Sequence, residues 1–191
     1  SRGTGGRLAT RRVGELNFDI GAQYFTVRVE RFRRYVDGWA SEGLVQPWEG
    51  RFRVLNRKDG GERASPPVRY VGVPRMTTVA RHLARDLNVA FQTRVAEVRR
   101  SGFVWQLVSE TGTHLPPCDV VVLAIPPAQT APLLAAVPDL ANEAASVVCR
   151  PCWAVMAAFD RPVELPFDGA FLNATSLSWA ARNNTKPGRP K

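Results

Sequence analysis

Asp119-Val120-Val121-Val122-Leu123-Ala124-Ile125 is a nearly unbroken apolar run, with Pro116-Pro117 just before it and Pro126-Pro127 just after. A strand with one face in water alternates apolar and polar residues. A run that is apolar throughout fits a strand of a parallel sheet covered on both faces. On its C-terminal side, residues 128–136 and 140–148 carry helical patterns, the second with Asp139 as the expected N-cap. On its N-terminal side, 94–99 and 103–108 read as antiparallel strands turned at Ser101-Gly102, after a short strand at 89–91. Pro74 is placed to open a helix whose apolar face is Met76, Val79, Ala80, Leu83 and Leu87. Phe32, Tyr35, Val36 and Trp39 recur at helical spacing over 30–40. Residues 18–27 read as extended. Residues 52–55 and 68–71 read as strands on either side of the turn signal Lys58-Asp59-Gly60-Gly61. Further strands are expected at 152–159 and 170–172, a loop at 1–12, and a polar tail at 183–191. This mixture predicts an α/β (or α+β) fold.

The 191 residues hold 26 Lys and Arg against 17 Asp and Glu, a formal charge of +9. Only Lys58, Lys186 and Lys191 are lysines, so the excess is arginine, and it is scattered along the chain. Nucleic-acid binding would gather it on one face or interleave it with exposed aromatics. No stretch approaches the roughly 20 apolar residues of a membrane span, and no signal-peptide pattern is present, which leads us to expect a cytoplasmic protein. Cys118, Cys149 and Cys152 do not form a disulfide framework. The Cys149-Arg150-Pro151-Cys152 spacing lacks the second ligand pair of a zinc site and the strand-to-helix setting of a redox pair. The cysteines read as structural, and no metal is expected.

The chemistry is concentrated near the start. Arg2-Gly3-Thr4-Gly5-Gly6-Arg7 puts three glycines and two arginines in six positions. Glycine admits close backbone approach and positive φ, and guanidinium forks suit phosphate oxygens. The stretch is not G-x-G-x-x-G, because Leu8 stands at the third glycine position.

Ser1-Arg2-Gly3-Thr4-Gly5-Gly6-Arg7-Leu8-Ala9-Thr10-Arg11-Arg12 resembles the segment that follows the ribose-binding acid in FAD-dependent amine oxidases. Phe18-Asp19-Ile20-Gly21-Ala22-Gln23-Tyr24-Phe25 resembles the D-x-G-A-Q-Y-F element of the bacterial, renalase-like branch. Arg69-Tyr70-Val71-Gly72-Val73-Pro74-Arg75-Met76 is similar to its R-Y-V-G-x-P-G-M element, with Arg75 where a glycine is usual. Pro151-Cys152-Trp153-Ala154 and Leu177-Ser178-Trp179-Ala180-Ala181-Arg182-Asn183 complete five elements in the expected order.

The resemblance implies FAD as cofactor, with Arg2, Gly5, Gly6 and Arg7 near its phosphates and ribose. It implies that Gly21, Ala22, Gln23 and Tyr24 run close to the flavin ring and that the Val95 backbone meets the adenine. Ala124, Ile125 and Pro126 would end a parallel strand beside the dinucleotide. It further implies a partial Rossmann-like FAD-binding domain (1–28 and 74–127) interleaved with a partial antiparallel-sheet substrate domain (29–73 and 128–191). The G-x-G-x-x-G strand and the C-terminal G-D segment are not in the sequence, so the chain is expected to be an internal portion of a longer polypeptide and inactive alone. The implied reaction is oxidation of a dihydronicotinamide-like or amine donor, with oxygen as acceptor and hydrogen peroxide as product. Hydride transfer to a flavin needs no acid–base pair, and no catalytic residue is named. The alternative is a non-enzymatic basic module that binds nucleic acid or another partner. It would show clustered surface arginines and no cavity lined by residues 1–7 and 21–24.

Overall fold

In chain order the strands are β1 (Thr10–Val13), β2 (Leu16–Asp19), β3 (Phe25–Thr26), β4 (Val45–Pro47), β5 (Phe52–Leu55), β6 (Arg69–Gly72), β7 (Val95–Ser101), β8 (Val104–Ser109), β9 (Gly169–Leu172) and β10 (Trp179–Ala181). The helices are α1 (Glu30–Ser41), α2 (Thr77–Leu83), α3 (Pro127–Thr130) and α4 (Pro138–Ser146), with 3-10 turns at Gly6–Leu8, Ala131–Leu134 and Asn183–Thr185. This computed structural model describes residues 3–55, 67–173 and 175–190. Arg2 and the turn signal at 58–61 lie outside them. The chain divides into two compact units, one of Gly3–Val89 with Ala154–Lys191, the other of Ser1–Arg2 with Ala90–Trp153. It is a mixed α and β protein with several small sheets. Among the described residues no helix is long and apolar enough to cross a membrane.

Among the described residues the larger unit contains three sheets. A hairpin joins β1 to β2, with Thr10 opposite Asp19 and Val13 opposite Leu16. A second sheet has the order β3-β6-β4, all antiparallel. The third has the order β10-β9-β5; β9 runs antiparallel to β10 and parallel to β5. The amphipathic pattern of α1 turns Val36 inward against Val45 and Val79, with Phe25, Phe32, Trp39 and Tyr70 around them. A second cluster joins Trp48, Val71 and Met76 to Leu8, Ala22, Tyr24, Phe52 and Trp179. It therefore ties the glycine-rich start to the strands.

An ion-paired carboxylate fastens the third sheet. Asp168 Oδ2 accepts from the Arg51 backbone N–H at 2.8 Å and from Arg51 Nε at 3.2 Å, while Oδ1 accepts from Arg182 Nη1 at 3.3 Å. The hydrogen bond from Arg51 holds the Asp168 carboxyl below its ordinary pKa against the opposing effect of burial. Arg51 is largely exposed, so water screens part of the attraction. We expect Asp168→Asn to cost about 1–2 kcal/mol in chemical denaturation at neutral pH. The loss should vanish as acid protonates the wild-type carboxyl below its lowered pKa.

In the smaller unit, β7 and β8 form a hairpin through Gly102, whose φ of +62° suits a residue without Cβ. Residues 113–118 fold back along β8, with Leu115 N–H donating to Leu107 O and Cys118 N–H to Trp105 O. The 3-10 turn Ala131–Leu134 packs with α3, α4 and β7, burying Leu133.

Several expected elements do not form. Residues 119–125 are not a strand, and Val120 and Val122 are 74% and 82% exposed. Residues 152–159 are likewise irregular, with Trp153 93% exposed. An apolar run becomes a strand only when another strand takes its backbone hydrogen bonds, and among the described residues none pairs with either segment. No strand forms at 89–91 either. Pro74 lies ahead of α2 rather than in its first turn, because Met76 is the N-cap. Leu83 ends that helix, so Leu83 and Leu87 are exposed rather than on a buried face. Asp139 sits inside the first turn of α4, where its charge favours the helix dipole, and Val137 is the N-cap. Cys149 and Cys152 are free and exposed, so they do not pack the interior.

Candidate functional site

The start of the chain is more structured than a loop. Gly5 has φ +131° and Gly6 φ +46°, and the chain then enters the 3-10 turn Gly6–Leu8. That turn is fixed from below by the segment after β2. Ala22 N–H donates to Arg7 O at 2.8 Å, while the Ile20 and Gly21 N–H groups donate to Ala9 O at 3.0 and 3.2 Å. The approach is so close that a Cβ on Gly21 would lie 2.0 Å from Arg7 O. Packing within the chain therefore accounts for a glycine at 21. Thr77, the first residue of α2, presses on Gly5 from another side, 2.9 Å from where a Cβ would be.

Seven of the ten candidate cofactor residues thus meet in one place: Gly5, Gly6, Arg7, Gly21, Ala22, Gln23 and Tyr24. Val95 and Pro126 belong to the other unit. Val95 opens β7 opposite Ser109, and Pro126 precedes α3, its carbonyl accepting from Gln129 and Thr130. Ala124, Ile125 and Pro126 end no strand. Arg2 is outside the described residues.

The residues at 5–7 suit a phosphate. Nothing within 4 Å would meet a Cβ at Gly6, leaving that backbone open to an approaching group. Arg7 is exposed, and among the described residues its guanidinium has no ion-pair or hydrogen-bond partner. The surroundings are positive. Burial lowers the pKa of Arg75, and the nearby charges of Arg12, Arg81 and Arg189 lower it further. A focused positive field attracts anions.

Directly beneath this loop lies a buried ionic cluster that sequence reasoning missed. Asp19, the last residue of β2, accepts four hydrogen bonds. Thr10 Oγ1 (2.8 Å) and the Met76 N–H (3.3 Å) reach Oδ1; Lys186 Nζ (3.1 Å) and Arg189 Nη2 (2.7 Å) reach Oδ2. The Asp19, Lys186 and Arg189 side chains are fully enclosed. Burial acts to raise the Asp19 carboxyl, but Lys186, Arg189 and Thr10 together hold it below its ordinary pKa. Burial pulls Lys186 down to about 8 against the attraction of Asp19.

The polar tail expected at 183–191 is therefore an anchored segment. Asn183 Nδ2 donates to Asn17 O at 2.5 Å, and Trp48 Nε1 donates to Thr185 Oγ1 at 3.2 Å. Arg189 Nη1 donates to Gly72 O at 2.8 Å. Its one legible signal was a lysine and an arginine three apart in a chain otherwise poor in lysine.

Gln23 is bound into the same cluster. Its Nε2 donates to Asp19 O and, at 3.2 Å, to Gly21 O, while its Oε1 accepts from Lys186 Nζ at 3.0 Å. Both ends of the amide are engaged inside the chain, which leaves the backbone as the part of Gln23 free to face a ligand. Tyr24 lies beside Trp179, ring centroids 5.5 Å apart, with the Arg69 guanidinium 5.2 Å from its ring centre. Arg69 also stacks on Phe52 at 3.9 Å. Tyr24 is thus an aromatic wall stiffened by a cation.

The comparison with known families covers the part of the chain that follows these motifs. A family model described as flavin containing amine oxidoreductase matches residues 29–189, more than four-fifths of the sequence, including the Lys186 and Arg189 anchor and the Arg69 stack. This chain belongs to the flavin containing amine oxidoreductase family.

Proposed function

We propose that this FAD-dependent amine oxidoreductase is a renalase-type oxidase, taking electrons from a dihydronicotinamide-like donor, or from an amine, and passing them to oxygen with formation of hydrogen peroxide. FAD is the family's cofactor. When bound it supplies the two-electron chemistry, and the protein's part is to hold and orient it and to exclude side reactions. The observation that carries the reading is the junction of the 5–7 loop with the 21–24 segment through Ala22 N–H and Arg7 O. It brings an open glycine backbone and a free guanidinium to one end of a segment that ends in the aromatic wall at Tyr24. In this reading Arg2, Gly5, Gly6 and Arg7 hold the phosphates, while Gly21, Ala22, Gln23 and Tyr24 flank the ring through backbone and Tyr24 surface. The FAD-binding role is divided over 1–28 and 74–127 and the substrate role over 29–73 and 128–191. These are functional boundaries that do not coincide with the two compact units.

The full-length protein, purified without added cofactor, should carry a visible flavin band that bleaches anaerobically with a dihydronicotinamide isomer and recovers with oxygen. Bleaching by simple amines alone would assign the amine as the donor, and a colourless protein would overturn the reading.

Arg7→Ala should weaken FAD retention without slowing the chemistry of flavin that remains bound. Losing a charge-assisted contact costs about 1.5–3 kcal/mol, or roughly ten- to a hundredfold in affinity. Flavin-to-protein ratio after dialysis measures it, and unchanged occupancy would remove Arg7 from the phosphate site.

A further inference from the structure

We propose that Lys186 is a positioning residue of the flavin site, holding the 21–24 segment in shape through Asp19 and Gln23. The proposal rests on the reading above that this segment flanks the flavin.

A buried ammonium is costly, and an apolar side chain of similar length would fill the same space at lower desolvation cost. What the ammonium adds is direction, because it carries three donors. Two of them reach Asp19 Oδ2 and Gln23 Oε1, on either side of Gly21. Gln23 closes the clamp by donating to Asp19 O and Gly21 O. The turn so fixed is the one that delivers the Ala22 N–H to Arg7 O. One ammonium therefore sets the path of the segment between the arginine loop and Tyr24.

Arg189 has a separable duty. It ties Asp19 to the Gly72 carbonyl of β6, and it remains to neutralise Asp19 if Lys186 is lost. Lys186→Met should for that reason fold, leaving a balanced Asp19–Arg189 pair while releasing Gln23.

The charged groups facing Lys186 are Asp19 on β2 and Arg189 on its own segment. Trp48, whose ring centre is 5.3 Å away, and Gln23 are uncharged. With its pKa near 8, Lys186 loses its proton within an accessible range, so the clamp slackens as pH rises through that value.

The test compares full-length wild type, Lys186→Met and Lys186→Arg, each loaded with FAD, by visible circular dichroism of the bound flavin from pH 6.5 to 9.5. Wild type should show an inflection near pH 8. Lys186→Met should shift the flavin spectrum, lose the inflection and retain FAD about tenfold less tightly, a change of roughly 1.4 kcal/mol. Lys186→Arg should restore retention while abolishing the inflection, because guanidinium does not titrate there. If Lys186→Met fails to fold, Gln23→Met carries the test, since it leaves the Asp19, Lys186 and Arg189 contacts in place. It should shift the spectrum in the same sense. Flavin-loaded variants with wild-type spectra and pH profiles would overturn the role of Lys186 alone. A wild type that binds no FAD would overturn the flavin reading and this role with it.

Discussion

Asp19→Asn is expected to cost about 3–5 kcal/mol, the penalty for breaking a buried ionic group by removing one partner. Lys186 and Arg189 converge on Asp19 Oδ2, and both side chains are fully enclosed. The amide would still accept from Thr10 or from Met76 N–H, so the loss is chiefly that of the negative charge. Arg189 would then be buried without a counterion, and Lys186, whose pKa near 8 leans on Asp19, would be driven to shed its proton. Urea denaturation at pH 7 reads the effect directly. Adding Lys186→Met to Asp19→Asn should recover part of the loss, because it removes the buried amine beside Arg189, and contacting residues are not additive. The pH dependence has a definite sign. Asp19 has a folded pKa below its ordinary 3.8, so its stabilising effect is present above the unfolded value and disappears as pH falls through the folded one. Asp19→Asn should therefore approach wild type only in strong acid. A variant within 1 kcal/mol of wild type at pH 7 would mean that water reaches the cluster.

Gly21→Ala should remove FAD binding altogether while leaving a protein that is measurably weaker. Its Cβ would lie 2.0 Å from Arg7 O and 2.7 Å from Arg7 C. Both are backbone atoms, which cannot rotate away as a side-chain tip can. The 5–9 turn and the 20–22 segment must separate, breaking the Ala22–Arg7 and Gly21–Ala9 hydrogen bonds. Overpacking of this kind costs about 1–3 kcal/mol or more, and it opens the junction on which the proposed phosphate site depends. Gly14→Ala, in the turn between β1 and β2 and outside the proposed site, is the matched control. No atom lies within 4 Å of its Cβ, and the only cost is a φ of +56°, about 1–2 kcal/mol for a non-glycine residue. Flavin-to-protein ratios for the two variants, beside their denaturation midpoints, separate blocked geometry from general weakening. Stoichiometric flavin in Gly21→Ala would show that the two segments do not act together.

What could be read from the sequence followed local rules. The spacing of Phe32, Tyr35, Val36 and Trp39 yields α1, and Ser101-Gly102 turns β7 into β8, because helix periodicity and left-handed turns are written in neighbouring residues. The glycines at 5 and 6 were also legible as backbone demands, whereas Gly21 was singled out only by the resemblance and answers to Arg7 O. What escaped was long-range. Nothing in Asn183 to Arg189 alternates or repeats, so it read as a tail, yet its cation finds a carboxylate 167 residues away. The same blindness worked in reverse at 119–125, where apolar content promised a buried strand. Composition expresses a preference for burial, and pairing decides whether it is met. The strands β4 and β10 were missed for a related reason: each is three residues long and exists because a neighbour accepts it.

The pairing of Asp19 with Lys186 has a consequence for the nascent chain. Translation at roughly 5–20 residues per second separates the two by about 10–30 s. Through that interval the carboxylate has been made and its two cations have not, so the hairpin of β1 and β2 waits with its polar end open. The edge of β5 waits as well, since its parallel partner β9 follows more than a hundred residues later. Contacts this distant in sequence form slowly. The larger unit therefore cannot close as it emerges and must close after its last cation has left the ribosome. Slowing elongation would lengthen its exposure to proteases and holding chaperones rather than help it fold.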